Sequence, residues 1–345
     1  MARATLKQVA ARSGVSTFTV SQALSDKPGV SDATRERIRE IAEEMGYVAN
    51  LAAASLRGAA SSAVGVLTAN GRNQYYATLV QGISASLQEH NYFAVANDTM
   101  RNAQYSAELE KKAVEGLLQQ RVSAVIATYS LKPENMRLLN KWQIPVLFVD
   151  SPPPSEFSTL PFIGVDNYQA SALVAEHLAL KGHDSALFVV FDHAWSTREG
   201  REKGFSETAK LRGMRTDVLE VPNDSEAVAK SLIEYFKNGF EPGSEVTAIY
   251  AANTIILHGV LTALKTLRLR VPHEISVVAF DDFDWAEHID PPITVVDQSI
   301  YEIGLKAGQK VVELLQNSTA AEGENTTLLS ARLIERGSVR ALLQR

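Results

Sequence analysis

The sequence predicts an α-helical headpiece followed by a larger α/β core made of two doubly wound lobes. Near the N-terminus, three short amphipathic segments each follow a Ser or Thr that can cap a helix. From Ala63 onward, short apolar runs alternate with amphipathic segments, a pattern typical of parallel strands joined by helices. The length of 345 residues also favours several domains. We expect a headpiece over residues 1–48, a hinge and linker over 49–60, and the two-lobed core over 61–345.

In the headpiece, cap residues mark the starts of three helices. Thr5 and Gln8 have the spacing of a capping box, and a glycine ends the helix that they start. Ser16 can cap a second helix over residues 16–24, and Ser31 can cap a third. Two helices joined by a tight glycine-containing turn, with a third helix closing the core, form a helix-turn-helix.

The second helix exposes side chains that suit DNA. Thr17, Thr19 and Ser21 can bond phosphate oxygens. Phe18 can pack on a thymine methyl group, and Gln22 can pair with adenine. A solvated helix face is the alternative interpretation, but it explains an exposed Phe18 poorly.

The net charge of −6 does not exclude a nucleic-acid partner, because the charge is unevenly distributed. Residues 1–39 carry seven Lys or Arg against three Asp or Glu, a net charge of +4, so the remainder carries −10. A basic headpiece on an acidic core permits contact with DNA through one end of the chain.

The core contains a series of apolar runs that we predict to be strands. They are residues 64–67, 93–97, 124–128, 146–150, 162–165, 186–191, 218–221, 248–251, 276–280 and 294–297. The prolines at 152–154 fall near the middle of the series, so we expect the linker between the two lobes there. Ligands of such folds bind at the carboxyl ends of the strands, where loops of both lobes meet.

Polar and aromatic residues follow several of these strands. They are Asn73, Tyr75, Tyr76, Asp150, Asn253 and Asp281. Carboxylates and amides beside aromatic rings suit a ligand with many hydroxyl groups. Any single one of them could instead be a helix cap or a turn former.

Several motifs of the headpiece occur together, and with them it resembles one known family. They are Thr5-Leu6-Lys7-Gln8-Val9-Ala10, Gly14-Val15-Ser16, Thr19-Val20-Ser21, Val30-Ser31, Thr34-Arg35, Ile38 and Gly46-Tyr47. The headpiece is similar to that of the lactose-repressor (LacI/GalR) family of bacterial transcription regulators. The candidate DNA-binding residues are Thr5, Ser16, Thr17, Phe18, Thr19, Ser21, Gln22, Ser31, Asn50 and Leu56.

Residues 50–56 resemble the hinge helix of that family, which folds on the operator. The resemblance makes Leu56 the side chain that wedges into the minor groove, although an ordinary linker leucine is the alternative. So short a segment is not stable as a helix alone, which agrees with folding on DNA. Two residues depart from the family pattern: Gln22 stands where arginine is common, and Ala49 where proline is common.

The core resembles the periplasmic-binding-protein-like effector core of the same family. The motifs are Gly164-Val165-Asp166-Asn167, Gly182-His183, Arg201 with Gly204-Phe205, Ala251-Ala252-Asn253, Val271-Pro272, Ile275-Ser276-Val277-Val278, Phe280-Asp281-Asp282, Pro291-Pro292-Ile293-Thr294 and Leu333-Ile334-Glu335-Arg336-Gly337-Ser338. The resemblance implies that Arg201, Asn253 and Asp281 bind effector hydroxyls or carboxyls. It adds a second rank of wall residues: Asp150, Phe162, Trp195 and Gln298.

These observations predict a transcription regulator, a repressor in the first instance, that is controlled allosterically by a small-molecule effector. We expect a homodimer on a palindromic double-stranded DNA operator, because no heptad tail follows the core. A neutral sugar is the first expectation for the effector, a sugar phosphate or sugar acid the second and a purine the third. The alternatives are a cytoplasmic sugar-binding protein or a sugar-modifying enzyme with an accessory helix-turn-helix, and a transport binding protein.

Several other classes are disfavoured. The chain has no cysteine, so disulfides and thiolate chemistry are excluded. The acids at 281–284 suit a ligand loop with a helix cap better than a metal site, so we expect no metal. No catalytic or nucleotide-binding motif occurs, so we expect no cofactor and no enzyme activity. No apolar run is long enough to span a membrane and no secretory signal is evident, so we expect a cytoplasmic protein without membrane contact.

Overall fold

The computed structural model describes residues 4–25, 27–47, 61–71, 73–101, 104–193, 195–238, 246–316 and 325–342. The chain divides into two compact units, Met1–Ser61 and Ser62–Arg345. Within the described residues, no helix has both the length and the apolar content that crossing a membrane requires.

The described part of the first unit contains three helices, α1 (Leu6–Ser13), α2 (Thr17–Leu24) and α3 (Asp32–Glu44). Their inner faces share a small apolar core, made of Val9, Ala10, Val20, Ala23, Ile38 and Ala42. Each helix contacts the other two, as the predicted helix-turn-helix with a closing third helix requires.

The three helices begin at the predicted caps. The Thr5 hydroxyl oxygen accepts a hydrogen bond from the backbone N–H of Gln8 at 3.3 Å, and Gln8 Oε1 accepts one from the backbone N–H of Thr5 at 2.8 Å. Ser16 and Ser31 each accept a hydrogen bond from the backbone N–H three residues further along. Gly14 ends α1 with a φ of 70°, the left-handed conformation that glycine adopts without steric cost.

The described part of the second unit consists mainly of strands and helices in alternation. In chain order its elements are β1 (Ala63–Thr68), α4 (Gln74–Gln88), β2 (Phe93–Asp98), β3 (Met100–Arg101), β4 (Gln104–Tyr105), α5 (Ala107–Gln119), β5 (Ala124–Ala127), α6 (Pro133–Lys141), β6 (Val146–Val149), β7 (Phe162–Val165), α7 (Asn167–Leu180), β8 (Ser185–Val190), α8 (Thr197–Leu211), β9 (Arg215–Glu220), α9 (Ser225–Asn238), β10 (Ala248–Ala251), α10 (Thr254–Leu267), β11 (Ser276–Phe280), β12 (Thr294–Asp297), α11 (Ile300–Gln316), β13 (Thr326–Leu329) and β14 (Arg332–Ile334).

β3 and β4 pair with each other as a small antiparallel sheet, and the other strands form two large sheets, one in each lobe. The first sheet has the order β13-β7-β6-β5-β1-β2, and all its pairs are parallel. The second has the order β14-β12-β11-β10-β8-β9, and only β14 at its edge is antiparallel. Each sheet lies in its own apolar core, so the predicted pair of doubly wound lobes is confirmed.

The chain passes between the lobes at points other than the predicted one. The prediction of a linker at prolines 152–154 is wrong, because these residues join β6 to β7 within the first sheet. The passages lie between β7 and α7, between β12 and α11, and between β13 and β14. Each lobe is thus built from separate stretches of chain.

Candidate functional site

Helix α2 presents the side chains that were predicted to contact DNA. Thr17 and Phe18 are exposed, and Phe18 keeps 70% of its surface open to solvent. Thr19 and Ser21 are half-buried. Thr19 also binds the capping Ser16, with 2.9 Å between the two hydroxyl oxygens. The Phe18 ring does not belong to the apolar core of the headpiece, so packing within the headpiece does not account for it.

Gln22 lies deeper than its predicted position on the exposed face. Its side chain is half-buried, and within the described part of the chain Gln22 Oε1 is buried without a hydrogen-bond partner. The cause is its place in the last turn of α2, where α3 packs. From α3, Arg35 Nη1 donates hydrogen bonds to the carbonyl oxygens of Ala23 at 2.9 Å and of Gln22 at 3.4 Å. Arg35 thus stabilises the C-terminal end of α2, a role that the sequence reasoning missed.

The remaining predicted DNA-binding residues lie at helix starts or outside the described residues. Thr5 and Ser31 cap α1 and α3, and the positive end of a helix is a suitable place for a phosphate group. Asn50 and Leu56 lie outside the described residues, as does the whole predicted hinge over 49–60.

A polar cleft lies between the two lobes of the second unit. It holds about 490 Å³ of space between atoms, a volume that includes its mouth, which is open to solvent. Its described lining consists of Asn70, Asn73, Tyr75, Tyr76, Asp150, Ser151, Phe191, Trp195, Thr197, Arg201, Asn223, Asn253 and Asp281. The structure therefore brings together eight of the ten predicted effector-binding residues, and Phe162 and Gln298 are the two that do not line the cleft.

Arg201, on α8, is buried and held rigidly in this cleft. Its Nε donates a hydrogen bond to Asn167 Oδ1 at 2.8 Å, and its Nη1 donates one to the carbonyl oxygen of Ala252 at 2.6 Å. The guanidinium carbon lies 3.6 Å from the centre of the Phe280 ring, a cation–π contact. Among the described residues Nη2 makes no hydrogen bond, so this nitrogen is available to a ligand.

Two carboxylates accompany Arg201, each placed directly after a strand. Asp150 follows β6 with a φ of 68°, and Asp281 follows β11 with a φ of 77°. Burial raises the pKa of Asp150 to about 6, against the opposing charge of Arg201. The pKa of Asp281 is also raised by burial, while Arg201 and a hydrogen bond from Gln298 lower it. One cation thus faces two carboxylates, and the cleft offers no net positive charge to an anion.

Gln298 acts behind Asp281 rather than in the cleft wall. It is buried, and its Nε2 donates a hydrogen bond to Asp281 Oδ1 at 2.5 Å. Phe162 lies on β7 within the first sheet, where its ring covers Gly164. The Phe162 ring packs against the apolar core of the first lobe and is not among the described residues that line the cleft.

Helix α4 brings an amide and two phenol rings to the cleft. Asn73 caps the helix, and its Oδ1 accepts a hydrogen bond from the backbone N–H of Tyr75 at 3.1 Å. The rings of Tyr75 and Tyr76 meet edge to face, with their centres 5.2 Å apart. Burial raises the pKa of both phenols well above the ordinary value, so both stay neutral and can act as donors.

The second lobe adds an amide pair and an indole ring. Asn253 caps α10 through Oδ1, and its Nδ2 donates a hydrogen bond to Asn223 Oδ1 at 3.0 Å. Trp195 packs against the apolar cores of both lobes, so it lies where the lobes meet. The sequence reasoning missed five lining residues: Asn70, Ser151, Phe191, Thr197 and Asn223. Phe191 directly follows β8, and Ser151 is the second residue after β6, so the rule that selected Asp150 could have found them.

The acidic run at 281–284 is accounted for by protein contacts. Arg336 forms a two-bond pair with the Asp282 carboxylate, at 2.8 Å and 2.9 Å. Within the described residues, no three His, Asp or Glu side chains are grouped as metal ligands would be.

Comparison with known proteins places both units in one family. A family model described as bacterial regulatory proteins, lacI family, matches residues 5–50, and one described as periplasmic binding protein-like domain matches residues 175–339. The HTH-type transcriptional repressor CytR of Escherichia coli (strain K12) is 25% identical over 98% of this chain and 97% of its own length. The HTH-type transcriptional regulator RegA of Clostridium saccharobutylicum is 29% identical over 96% of this chain and 98% of its own.

Solved structures give the same result. The lac repressor dimer bound to operator and the anti-inducer ONPF matches with a TM-score of 0.83 and 25% identity, over 99% of this chain and 100% of that one. A transcriptional regulator CelR–cellobiose complex shares the fold, with a TM-score of 0.70 and 23% identity over 97% of this chain and 100% of that chain. The chain belongs to the lacI family of bacterial regulatory proteins and is a transcription regulator, not an enzyme.

Proposed function

We propose that the protein represses transcription as a homodimer on a palindromic operator and that a neutral carbohydrate in the interlobe cleft controls its operator affinity. The observation that carries this proposal is the cleft itself, where Arg201 faces Asp150 and Asp281 from two lobes. A protein that acts on chromosomal DNA works in the cytoplasm, where we place it.

The arrangement of charges supports a neutral, hydroxyl-rich ligand over an anionic one. A hydroxyl group can donate to a carboxylate and accept from a guanidinium at the same time. An anion would be attracted by the Arg201 guanidinium but repelled by the carboxylates of both Asp150 and Asp281. The named relatives agree, since the lac repressor structure holds the anti-inducer ONPF and the CelR structure holds cellobiose.

Control by the effector follows from its contacts with both lobes. Arg201, Asn253 and Asp281 belong to the second lobe, and Tyr75 and Asp150 belong to the first. A ligand that contacts both sets binds best when the lobes hold these groups at one spacing, so it shifts the balance between two lobe arrangements by its difference in affinity. We propose that the two arrangements differ in operator affinity.

The headpiece supplies DNA recognition in this proposal. We assign the major groove to α2, with Phe18 on a thymine methyl group and Thr17 at the backbone. We assign the minor groove at the operator centre to Leu56 of the hinge.

Selection of binding sites from random duplex DNA, using the full-length protein, tests the DNA-binding part. We expect enrichment of one inverted repeat, because a twofold dimer presents two identical reading helices. Enrichment of no sequence, or of a single site without symmetry, would contradict the proposal. Phe18→Ala should reduce the enrichment. Trp142→Ala, which removes an exposed ring from the effector-binding unit, is the matched control and should leave the enrichment unchanged.

A further inference from the structure

The three passages between the lobes are short. The passage from β7 to α7 consists of Asp166, the passage from β12 to α11 of residues 298–299, and the passage from β13 to β14 of residues 330–331. Leu329, at the end of β13, packs against the apolar cores of both lobes. Because so few residues can absorb a change of angle, rotation of one lobe against the other must be concentrated at these passages.

One carboxylate joins two of the three passages. Asp297 is the last residue of β12, and its Oδ1 accepts a hydrogen bond at 2.7 Å from the backbone N–H of Ser299, in the passage to α11. Its Oδ2 accepts a hydrogen bond from Arg332 Nε at 3.0 Å and lies 2.9 Å from Arg332 Nη2. Arg332 is the first residue of β14, directly after the passage from β13. The Asp297–Arg332 ion pair therefore ties these two passages to each other.

The strand pairing fixes the place of this ion pair. β12 and β14 are antiparallel, and Asp297 lies directly opposite Arg332 in their register. Ser299 has a φ of 53°, in the left-handed region that residues with a side chain rarely adopt. The hydrogen bond from its N–H to Asp297 stabilises this conformation. The same carboxylate thus holds the backbone of one passage and the start of the strand that follows the other.

The passage from β12 to α11 also reaches the effector cleft. Gln298, next to Asp297, donates a hydrogen bond to Asp281 Oδ1 at 2.5 Å, and Asp281 lines the cleft. Burial is the main cause that raises the pKa of Asp281, and the negative charge of Asp297 also raises it. A change at this passage is therefore felt at the cleft carboxylate through a hydrogen bond and through charge.

The ion pair is partly open to solvent. The Arg332 side chain keeps 72% of its surface exposed, and the Asp297 side chain keeps 14%. Loss of an exposed ion pair changes an equilibrium by roughly fivefold at most. Substitution of Arg332 should therefore leave the fold intact. The balance between two lobe arrangements of similar free energy is the kind of equilibrium that so small a change can shift measurably.

We propose that the Asp297–Arg332 ion pair regulates the effector response, because it holds two interlobe passages together in one of the two lobe arrangements and so sets the balance between them. This inference rests on the proposed control of operator affinity by the lobe arrangement. Arg332 is then a positioning residue, which does not line the described cleft and acts through Asp297 on the passages.

Fluorescence anisotropy of labelled operator with the full-length protein tests the inference. We measure the operator Kd without sugar, and the sugar concentration that gives half of the full effect on operator binding. The sugar is the one among glucose, galactose, ribose, cellobiose and lactose that changes the wild-type operator Kd most. The ligand that prefers the less populated arrangement experiences the whole shift of the balance.

Arg332→Gln, which removes the charge, should change at least one of the two quantities by roughly two- to fivefold. Arg332→Lys keeps the charge and should change neither quantity as much as twofold. A residue needed only for folding would lower the unfolding temperature without changing either quantity, so thermal unfolding is followed by circular dichroism for each variant.

Two further variants serve as a control and as a check on the pair. Arg212→Gln is the matched control, because Arg212 forms an ion pair with Glu176 at 3.1 Å that lies entirely within the second lobe. It should change neither quantity. Asp297→Asn keeps an acceptor for the N–H of Ser299 and removes the charge, so it should shift the same quantity in the same direction as Arg332→Gln. Because the two side chains act as one pair, combining both changes should add less than the sum of the two single effects.

The outcomes separate this inference from the proposed function. If Arg332→Gln changes neither quantity, or if Arg212→Gln changes them equally, the regulatory role of the ion pair is refuted while control by the cleft stands. If no sugar changes the wild-type operator Kd but Arg332→Gln still does, carbohydrate control is refuted and the regulatory role of the ion pair stands. If neither a sugar nor Arg332→Gln changes the operator Kd, both are refuted.

Discussion

Removal of the Arg201 side chain should move the response to effector to much higher effector concentrations while leaving operator binding intact. Arg201 Nη2 has no hydrogen-bond partner among the described residues, whereas Nε and Nη1 are held by Asn167 and Ala252. A ligand hydroxyl therefore has one prepared donor at this place. Arg201→Ala removes that donor and also the cation that opposes the charges of Asp150 and Asp281.

The size of the effect follows from the kind of bond lost. A hydrogen bond to a charged group contributes about 1.5–3 kcal/mol. Since about 1.4 kcal/mol corresponds to a tenfold change in Kd, loss of one such bond should raise the effector Kd by roughly 10- to 150-fold. The variant also leaves two buried carboxylates without their cation, so we expect its unfolding temperature to fall. Arg201→Lys keeps the charge but cannot reach both Asn167 and Ala252, so its effector Kd should lie between those of wild type and Arg201→Ala.

The assay is titration of fluorescently labelled operator with each variant, with and without a sugar that binds the wild-type protein. Circular dichroism at the assay temperature checks that the variants are folded. If folded Arg201→Ala binds operator and still responds to the sugar at the wild-type concentration, the assignment of Arg201 to the effector is refuted.

Three further predictions concern the hinge, the reading helix and the cleft acid. Leu56→Ala should lose specific operator affinity and keep salt-sensitive non-specific binding in gel shifts, and unchanged specific affinity would refute the minor-groove role. Gln22→Arg should change base preference at one symmetric pair of operator positions in a binding-site selection, and an unchanged preference would show that Gln22 reads no base. Burial raises the folded-state pKa of Asp150 to about 6, above its value in the unfolded chain, so the folded protein is less stable when Asp150 is ionised. The free energy of unfolding should therefore decrease as pH rises from about 4 to about 6. In urea unfolding, the stability of Asp150→Asn relative to wild type should therefore increase between about pH 4 and pH 7, by at most about 3 kcal/mol. If the stability difference between Asp150→Asn and wild type does not vary with pH, burial of the ionised carboxylate is contradicted.

The fold could be predicted from the sequence wherever strands are buried on both faces. β10, β11 and β12 occur at their predicted bounds, because a central parallel strand appears as an uninterrupted apolar run. At three of the four sheet edges the pattern fails, and β2 is the exception. β13 is mostly exposed, and β14 is a three-residue strand with one exposed and two half-buried residues, so neither forms a long apolar run and both were missed. β9 begins at Arg215, earlier than the predicted residue 218, since its residues alternate between exposed and half-buried.

The cleft could be predicted in part, because the carboxyl ends of parallel strands meet at one edge of a sheet. That rule located Asp150 and Asp281, which the structure brings near Arg201. It could not locate Asn223 or Thr197, since their places depend on how a loop and a helix start pack against the other lobe. Nor could it reveal that Arg35 packs on the end of α2, because that contact joins distant parts of the headpiece.

The measurement that tests the account most directly is the operator affinity of the full-length protein with and without a sugar shown to bind it. Fluorescence anisotropy on the selected inverted repeat gives this affinity at fixed salt. We predict that a sugar concentration that just saturates the wild-type protein changes its operator Kd at least tenfold, and that the same concentration changes the operator Kd of Arg201→Ala much less. An operator Kd that stays the same while the sugar is bound would contradict control of the headpiece by the interlobe cleft.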